Sequence, residues 1–99
     1  MPAMIKFTYS LTQLYQTTHL SSGFIEKCVE YGILDPLVSQ SGDWLFEVDQ
    51  LIRLKKAARL RDDLDLNWNG LALAIDLIDE VEQLRNENRI IKSRLKRFL

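Results

Sequence analysis

Apolar residues recur along this chain first at short helical spacing, then in brief β-like runs, and finally in one long stripe of fours and threes. Ser10 followed by Leu11, Leu14 and Tyr15 predicts a short capped helix with one apolar face. Thr17-Thr18-His19-Leu20 reads as a turn. Ser21 then offers its hydroxyl to an orphan backbone N–H, starting a second helix that runs through Tyr31. Ile25, Cys28 and Val29 form its buried stripe, and Gly32 is the expected stop. Two short helices about a tight turn make a helix-turn-helix. Ile33-Leu34-Asp35-Pro36 is an extended exit. Leu37-Val38 and Trp44-Leu45-Phe46 flank Ser39-Gln40-Ser41-Gly42-Asp43, a pattern that suits a small β-hairpin wing. From Val48 or Asp49 a third helix is expected to about Leu64, with Leu51, Leu54, Ala58, Leu60 and Leu64 on its apolar face.

Leu66-Asn67 breaks that helix, and Asn67 is placed to cap a last one from Trp68 to about Phe98. No Pro interrupts it, and no Gly follows Gly70. At ~1.5 Å per residue such a helix is about 45 Å long, more than one small core can cover. Its second half has a definite period: Leu77, Val81, Leu84, Asn88, Ile91, Leu95 and Phe98 alternate steps of four and three. Val81, Asn88 and Leu95 take the a positions of a heptad; Leu77, Leu84, Ile91 and Phe98 take the d positions. Asn at an a position lowers stability but favours one register, because its amide seeks a partner amide. Glu80 and Glu87 at g oppose Arg85 and Lys92 at e, which would suit a parallel pair without fixing the orientation. The stripe predicts a homodimeric coiled coil.

Ninety-nine residues with 46% apolar content make one small structural domain, divided at residue 66 into a winged part (1–66) and the long helix (67–99). Folding such a chain buries only roughly 60–65% of the surface its unfolded form exposes, so self-association is a natural complement. The net charge of −1 conceals blocks. Residues 1–50 hold Lys6 and Lys27 against six acids. Arg53, Lys55, Lys56, Arg59 and Arg61 follow without an acid among them. Asp62, Asp63, Asp65, Asp76, Asp79, Glu80 and Glu82 come next, with no Lys or Arg before Arg85.

Little here predicts chemistry. One cysteine and one histidine supply neither a disulfide nor a zinc site of ordinary ligand number, and Cys28 beside Ile25 and Val29 reads as core. His19 has no Ser or Cys partner nearby. The Asp62-Asp63 pair reads as a solvated turn rather than a shielded acid–base pair. No phosphate loop, nucleophilic triad or metal-spaced cluster is present, so no catalytic residue, metal or cofactor is expected. The N-terminus lacks a signal-peptide apolar region, and the run from Leu71 to Ile75 stops at Asp76, far short of a membrane span. The expectation is a soluble cytoplasmic protein without membrane contact.

Helix-turn-helix, wing, linking helix and long dimerising helix together resemble the MerR-type winged-helix architecture. The run Ala58-Arg59-Leu60-Arg61-Asp62-Asp63-Leu64-Asp65-Leu66-Asn67-Trp68-Asn69-Gly70-Leu71-Ala72, continued by Leu84-Arg85-Asn86-Glu87-Asn88, narrows this further. It resembles the CbpM family of bacterial chaperone modulators over essentially the whole chain, most strongly from Leu51 onward. The resemblance implies a mainly α, MerR-like winged helix-turn-helix with a small β-hairpin wing and a long C-terminal dimerisation helix. It also implies an adaptor that binds the J-domain of the DnaJ-like co-chaperone CbpA, blocking its work with the Hsp70 DnaK and restraining its DNA binding. J-domains show a basic helix to Hsp70, and the acids offer the complementary potential: Asp62, Asp63, Asp65, Asp76, Asp79, Glu80 and Glu82. Trp68 is a candidate anchor, although its place under the turn favours a cap on the core. On the last helix, Asp76, Asp79, Glu80 and Glu82 are expected on an outward arc, with Leu77 and Val81 facing inward.

The rival reading is a MerR-like dimeric DNA-binding transcriptional regulator. A recognition helix needs Arg, Lys, Asn or Gln aimed at base edges. Phe24-Ile25-Glu26-Lys27-Cys28-Val29-Glu30-Tyr31 has two acids and one base, and the wing carries Asp43. That sign repels phosphates. Only the basic run 53–61 favours DNA, and it is expected on a solvated face or paired with the acids beside it. Direct nucleic-acid binding is therefore not expected.

Overall fold

The computed structural model describes residues 7–65 and 67–98. Residues 1–6 and Leu99 lie outside the described residues, as does Leu66 of the expected break. The chain opens with β1 (Thr8–Ser10) and passes directly into α1 (Leu11–Thr18). Ser10 closes a capping box: its Oγ accepts the Gln13 N–H at 3.1 Å, and Gln13 Oε1 accepts the Ser10 N–H at 2.9 Å. His19 ends the helix in the left-handed region at φ 60° and donates its N–H to the Tyr15 carbonyl. Ser21 caps α2 (Ser22–Glu30) as expected, its Oγ accepting the Phe24 N–H at 3.1 Å. Gly32, at φ 75°, turns the chain away where a side chain would be strained.

β2 (Leu37–Val38) and β3 (Trp44–Glu47) form the expected wing, with Leu37 opposite Leu45 and Val38 opposite Trp44. The wing is larger than a hairpin. Thr8–Ser10 pairs with the other edge of β3, Thr8 against Glu47, giving an antiparallel sheet of order β1-β3-β2. β3 leads straight into α3 (Val48–Asp63), and Asn67 starts α4 (Trp68–Phe98). Asn67 Oδ1 accepts the Gly70 N–H at 2.7 Å, the expected cap.

One core gathers these elements. Leu14, Ile25, Cys28, Phe46, Leu54 and Ala57 are wholly buried, and Phe24, Ile33, Leu34, Leu71 and Ile75 nearly so. Burying a side chain of this size stabilises by about 1.5–3 kcal/mol. Three expected core positions differ. Tyr15 is half exposed, because it lies about 100° around α1 from Leu14. Leu64 is exposed because α3 ends at Asp63 and the chain there is extended. Val29 is only partly buried, because the buried stripe of α2 runs through Phe24, Cys28 and Ile25 and leaves Val29 at its far margin.

α4 leaves this core early. Its buried residues are Leu71 and Ile75, and every residue from Glu80 to Phe98 is exposed. The radius of gyration, 16.9 Å, exceeds the roughly 13 Å of a compact 100-residue domain by the reach of this helix.

Candidate functional site

The acidic side chains divide by what they touch. Asp76, Asp79 and Glu82 recur every third position of α4, and α3 meets them with Arg53 and Lys56, one turn apart. Arg53 Nη2 lies 2.7 Å from Asp76 Oδ1, and its Nη1 reaches Asp79 Oδ2. Its Nε donates to the Ile33 carbonyl in the segment between α2 and β2. Lys56 Nζ sits 2.8 Å from Glu82 Oε2. Arg61 and Asp62 approach to 3.4 Å. The outward arc expected for these acids is thus corrected: three of them line the margin facing α3, where the Arg53 fork matches carboxylate geometry. Glu80 alone of the four stays clear, and among the described residues Asp63, Asp65 and Glu80 are exposed acids without an ion pair.

Leu77 and Val81 are corrected with them. They were expected to face inward, but in the single chain they are 51% and 44% exposed. The reason is angular: α4 turns Leu71 and Ile75 to the core and Asp79 and Glu82 to α3, which leaves Leu77 and Val81 on the flank that faces away from both. Leu84, Ile91, Leu95 and Phe98 continue the same exposed line, with Asn88 among them. Leu73, four residues before Leu77, widens it. Unpartnered apolar stripes of this length mark an interaction surface.

Trp68 is half-buried and packs inside the chain. Its ring stacks on Tyr31 at 5.6 Å and tilts against Phe24 at 5.3 Å. The Arg61 guanidinium lies 4.1 Å over the opposite aromatic partner, Phe24. These contacts bolt the first turn of α4 to α2, so Trp68 brings the Asp62–Asp65 acids beside the helix-turn-helix.

The solvent face of α2 carries Ser22, Gly23, Glu26, Lys27 and Glu30, and its one base pairs with Glu30 at 3.3 Å. At the wing tip Ser41 Oγ donates to Asp43 Oδ2, and Ser39 Oγ accepts the Asp43 N–H. Neither surface offers a free cation to phosphate. Cys28 lies wholly buried. Burial pushes its thiol up to about 12, the Arg61 charge opposing only in part, so it is no nucleophile at neutral pH. Among the described residues no three His, Cys, Asp or Glu converge to hold a metal ion, and no helix is long and apolar enough to cross a membrane.

Arg53 and Lys56 are the residues that sequence reasoning passed over as site elements. Their signal was the abrupt switch from a basic block to an acidic one, with three-residue steps on both sides.

Comparison with known proteins agrees with this layout. Residues 9–93 match the family described as MerR HTH family regulatory protein. The chain is 40% identical over 85 residues to the chaperone modulatory protein CbpM of Pseudomonas entomophila strain L48, covering 86% of this chain and 84% of that one. Against CbpM of Pseudomonas putida strain W619 the identity is 39%, with the same coverage. With CbpM of Escherichia coli O1:K1 / APEC it is 33% over 97 residues, 98% of this chain and 96% of the relative.

Proposed function

The chain belongs to the MerR helix-turn-helix family and, within it, to the CbpM chaperone modulators, and on that premise we propose that it binds the J-domain of a CbpA-type DnaJ homologue. Bound there, it inhibits the stimulation of Hsp70 by that co-chaperone and its DNA binding. The chain itself is a regulatory protein rather than an enzyme. The reading is carried by one observation: similarity to named chaperone modulators runs through the acidic segment and the whole long helix.

The acids that support it best are Asp63, Asp65 and Glu80, exposed and without an internal cation among the described residues. A basic J-domain helix is drawn by such a field, which raises association rate and partner selectivity. Asp62, Asp76, Asp79 and Glu82 add to the same potential through their exposed oxygens while paired within the chain. Trp68 contributes by holding the acid-bearing linker against α2. The seam from Leu77 to Phe98 is read as the face of a homodimer. DNA is not bound directly, because the outer face of α2 and the wing tip carry net negative charge.

Reversing Asp63, Asp65 and Glu80 together to Lys tests the partner surface. Affinity for an isolated J-domain should fall about tenfold or more, mostly through association rate, while helicity stays unchanged. Undiminished affinity would place the contact elsewhere. A wild-type chain that retards duplex DNA at moderate salt and ignores the J-domain would overturn the reading altogether.

A further inference from the structure

The fully buried attachment of α4 ends at Ile75, with Ile78 half-buried one turn further on. Leu71 and Ile75 are its buried residues, helped by Trp68 and Ala72 at the margin of the core. Beyond Ile75 the attachments that the described residues show between α4 and α3 are ionic: Arg53 with Asp76 and Asp79, and Lys56 with Glu82. Arg53 differs from the other bases of its block. Its side chain is only 19% exposed, against 38% for Lys56. Its three nitrogens go to three places: Nε to the Ile33 carbonyl, Nη1 to Asp79 and Nη2 to Asp76. One planar group therefore spans α3, α4 and the segment leaving the helix-turn-helix. Lys, with a single ammonium, cannot reproduce that fork.

We propose that Arg53 is a positioning residue, an ionic latch that holds the proximal half of α4 in one arrangement against the helix-turn-helix body. The consequence concerns partner recognition and rests on the J-domain reading above. Asp63 and Asp65 lie on the linker beside α2, whereas Glu80 lies three turns up α4. A partner that spans them meets a preorganised surface only if α4 is fixed in angle. With the latch open, α4 pivots on its Trp68–Ile75 attachment and the two groups of acids lose their common geometry, so ordering them is charged against binding.

The test uses spin labels at Arg59→Cys on α3 and Gln83→Cys on α4, in full-length chain diluted with unlabelled protein so that distances are intramolecular. Cys28, buried, stays unlabelled. At low salt the wild-type label distance should be narrowly distributed. Arg53→Gln should broaden it, Arg53→Lys should restore it only in part, and J-domain affinity should fall about tenfold in Arg53→Gln. The wild type carries its own control: raising salt from 0.1 M to 1 M shortens screening from about 10 Å to about 3 Å and should broaden the distribution as the variant does. Distances unchanged by both the substitution and the salt would refute the latch. Broadened distances with unchanged J-domain affinity, while the Lys reversals still weaken binding, would refute the positioning role. If the wild type binds no J-domain, the proposed function fails, and the latch is still decided by the distances.

Discussion

Leu54 and Leu84 are the same side chain on adjacent helices, yet one is wholly buried and the other 59% exposed. The contrast holds for the regions around them. From Leu14 to Ile75 the apolar positions close on one another; from Leu77 to Phe98 an equally regular apolar stripe closes on nothing in the chain. Amphipathic period is thus common to both regions, and what separates them is whether the complementary surface belongs to the same chain. The first region supplies its own complementary surface. The second has a defined shape only as a helix, and its apolar face is available to another molecule.

The largest expected effect comes from truncating these two leucines in parallel. Leu54→Ala should cost about 2–5 kcal/mol, independent of protein concentration, because it removes fully buried methyls and leaves a cavity. Leu84→Ala should stay within about 0.5 kcal/mol at high dilution, where the chain is monomeric. At high concentration it should lower Tm and weaken the dependence of Tm on concentration, since the proposed homodimer links stability to mass action. Urea titrations and thermal melts at two concentrations a hundredfold apart check both. A concentration-independent loss of several kcal/mol in Leu84→Ala would mean that the stripe folds back on its own body.

Cys28 sharpens the closed side of the comparison. Desolvation raises its pKa from an ordinary 9.0 to about 12 in the folded chain, with Arg61 opposing. Below pH 9 the thiol is neutral in both states and favours neither. Between pH 9 and about 12 the unfolded chain gives up its proton and the folded one does not, so stability falls as pH rises, by about 1.4 kcal/mol per unit at most. Alkaline denaturation of wild type and Cys28→Ala should therefore differ in slope across this window, the variant being flatter. Equal slopes would show the sulfur to be better solvated than its burial indicates.

The same contrast explains what could be read without coordinates. Caps are local chemistry, and Ser10, Ser21, Gly32 and Asn67 all stand where the residue types put them. The wing strands and the heptad stripe were legible for the same reason, since their periods lie within one segment. Pairings across the chain were not. Thr8–Ser10 is three residues long and becomes a strand only because β3 offers it an edge. Ile33 and Leu34, legible only as an extended exit, are core because the turn at Gly32 swings them under α3. Arg53 finds Asp76 and Asp79 across more than twenty residues, which no window on the sequence contains. Those long-range acids are the part of the candidate surface that changed most, from a free arc to a partly neutralised margin.

The smallest effect compares the caps at the two helices that meet at Trp68. Ser21 accepts the Phe24 N–H at a partly buried site, whereas Asn67 accepts the Gly70 N–H at an exposed one. Each cap satisfies one orphan donor of a first turn, and its loss costs about 0.5–2 kcal/mol. Water replaces an exposed cap more readily than a half-buried one. Ser21→Ala should therefore lose about 1 kcal/mol of global stability, and Asn67→Ala about half that, measured by urea unfolding at high dilution. An inverted order would mean that the first turn of α4 depends on its own cap more than on the stacking of Trp68 against Phe24 and Tyr31. The boundary between the closed region and the open one would then lie at Asn67 rather than past Ile75, and α4 would be attached to the body by Arg53 and Lys56 far more than by its aromatic bolt.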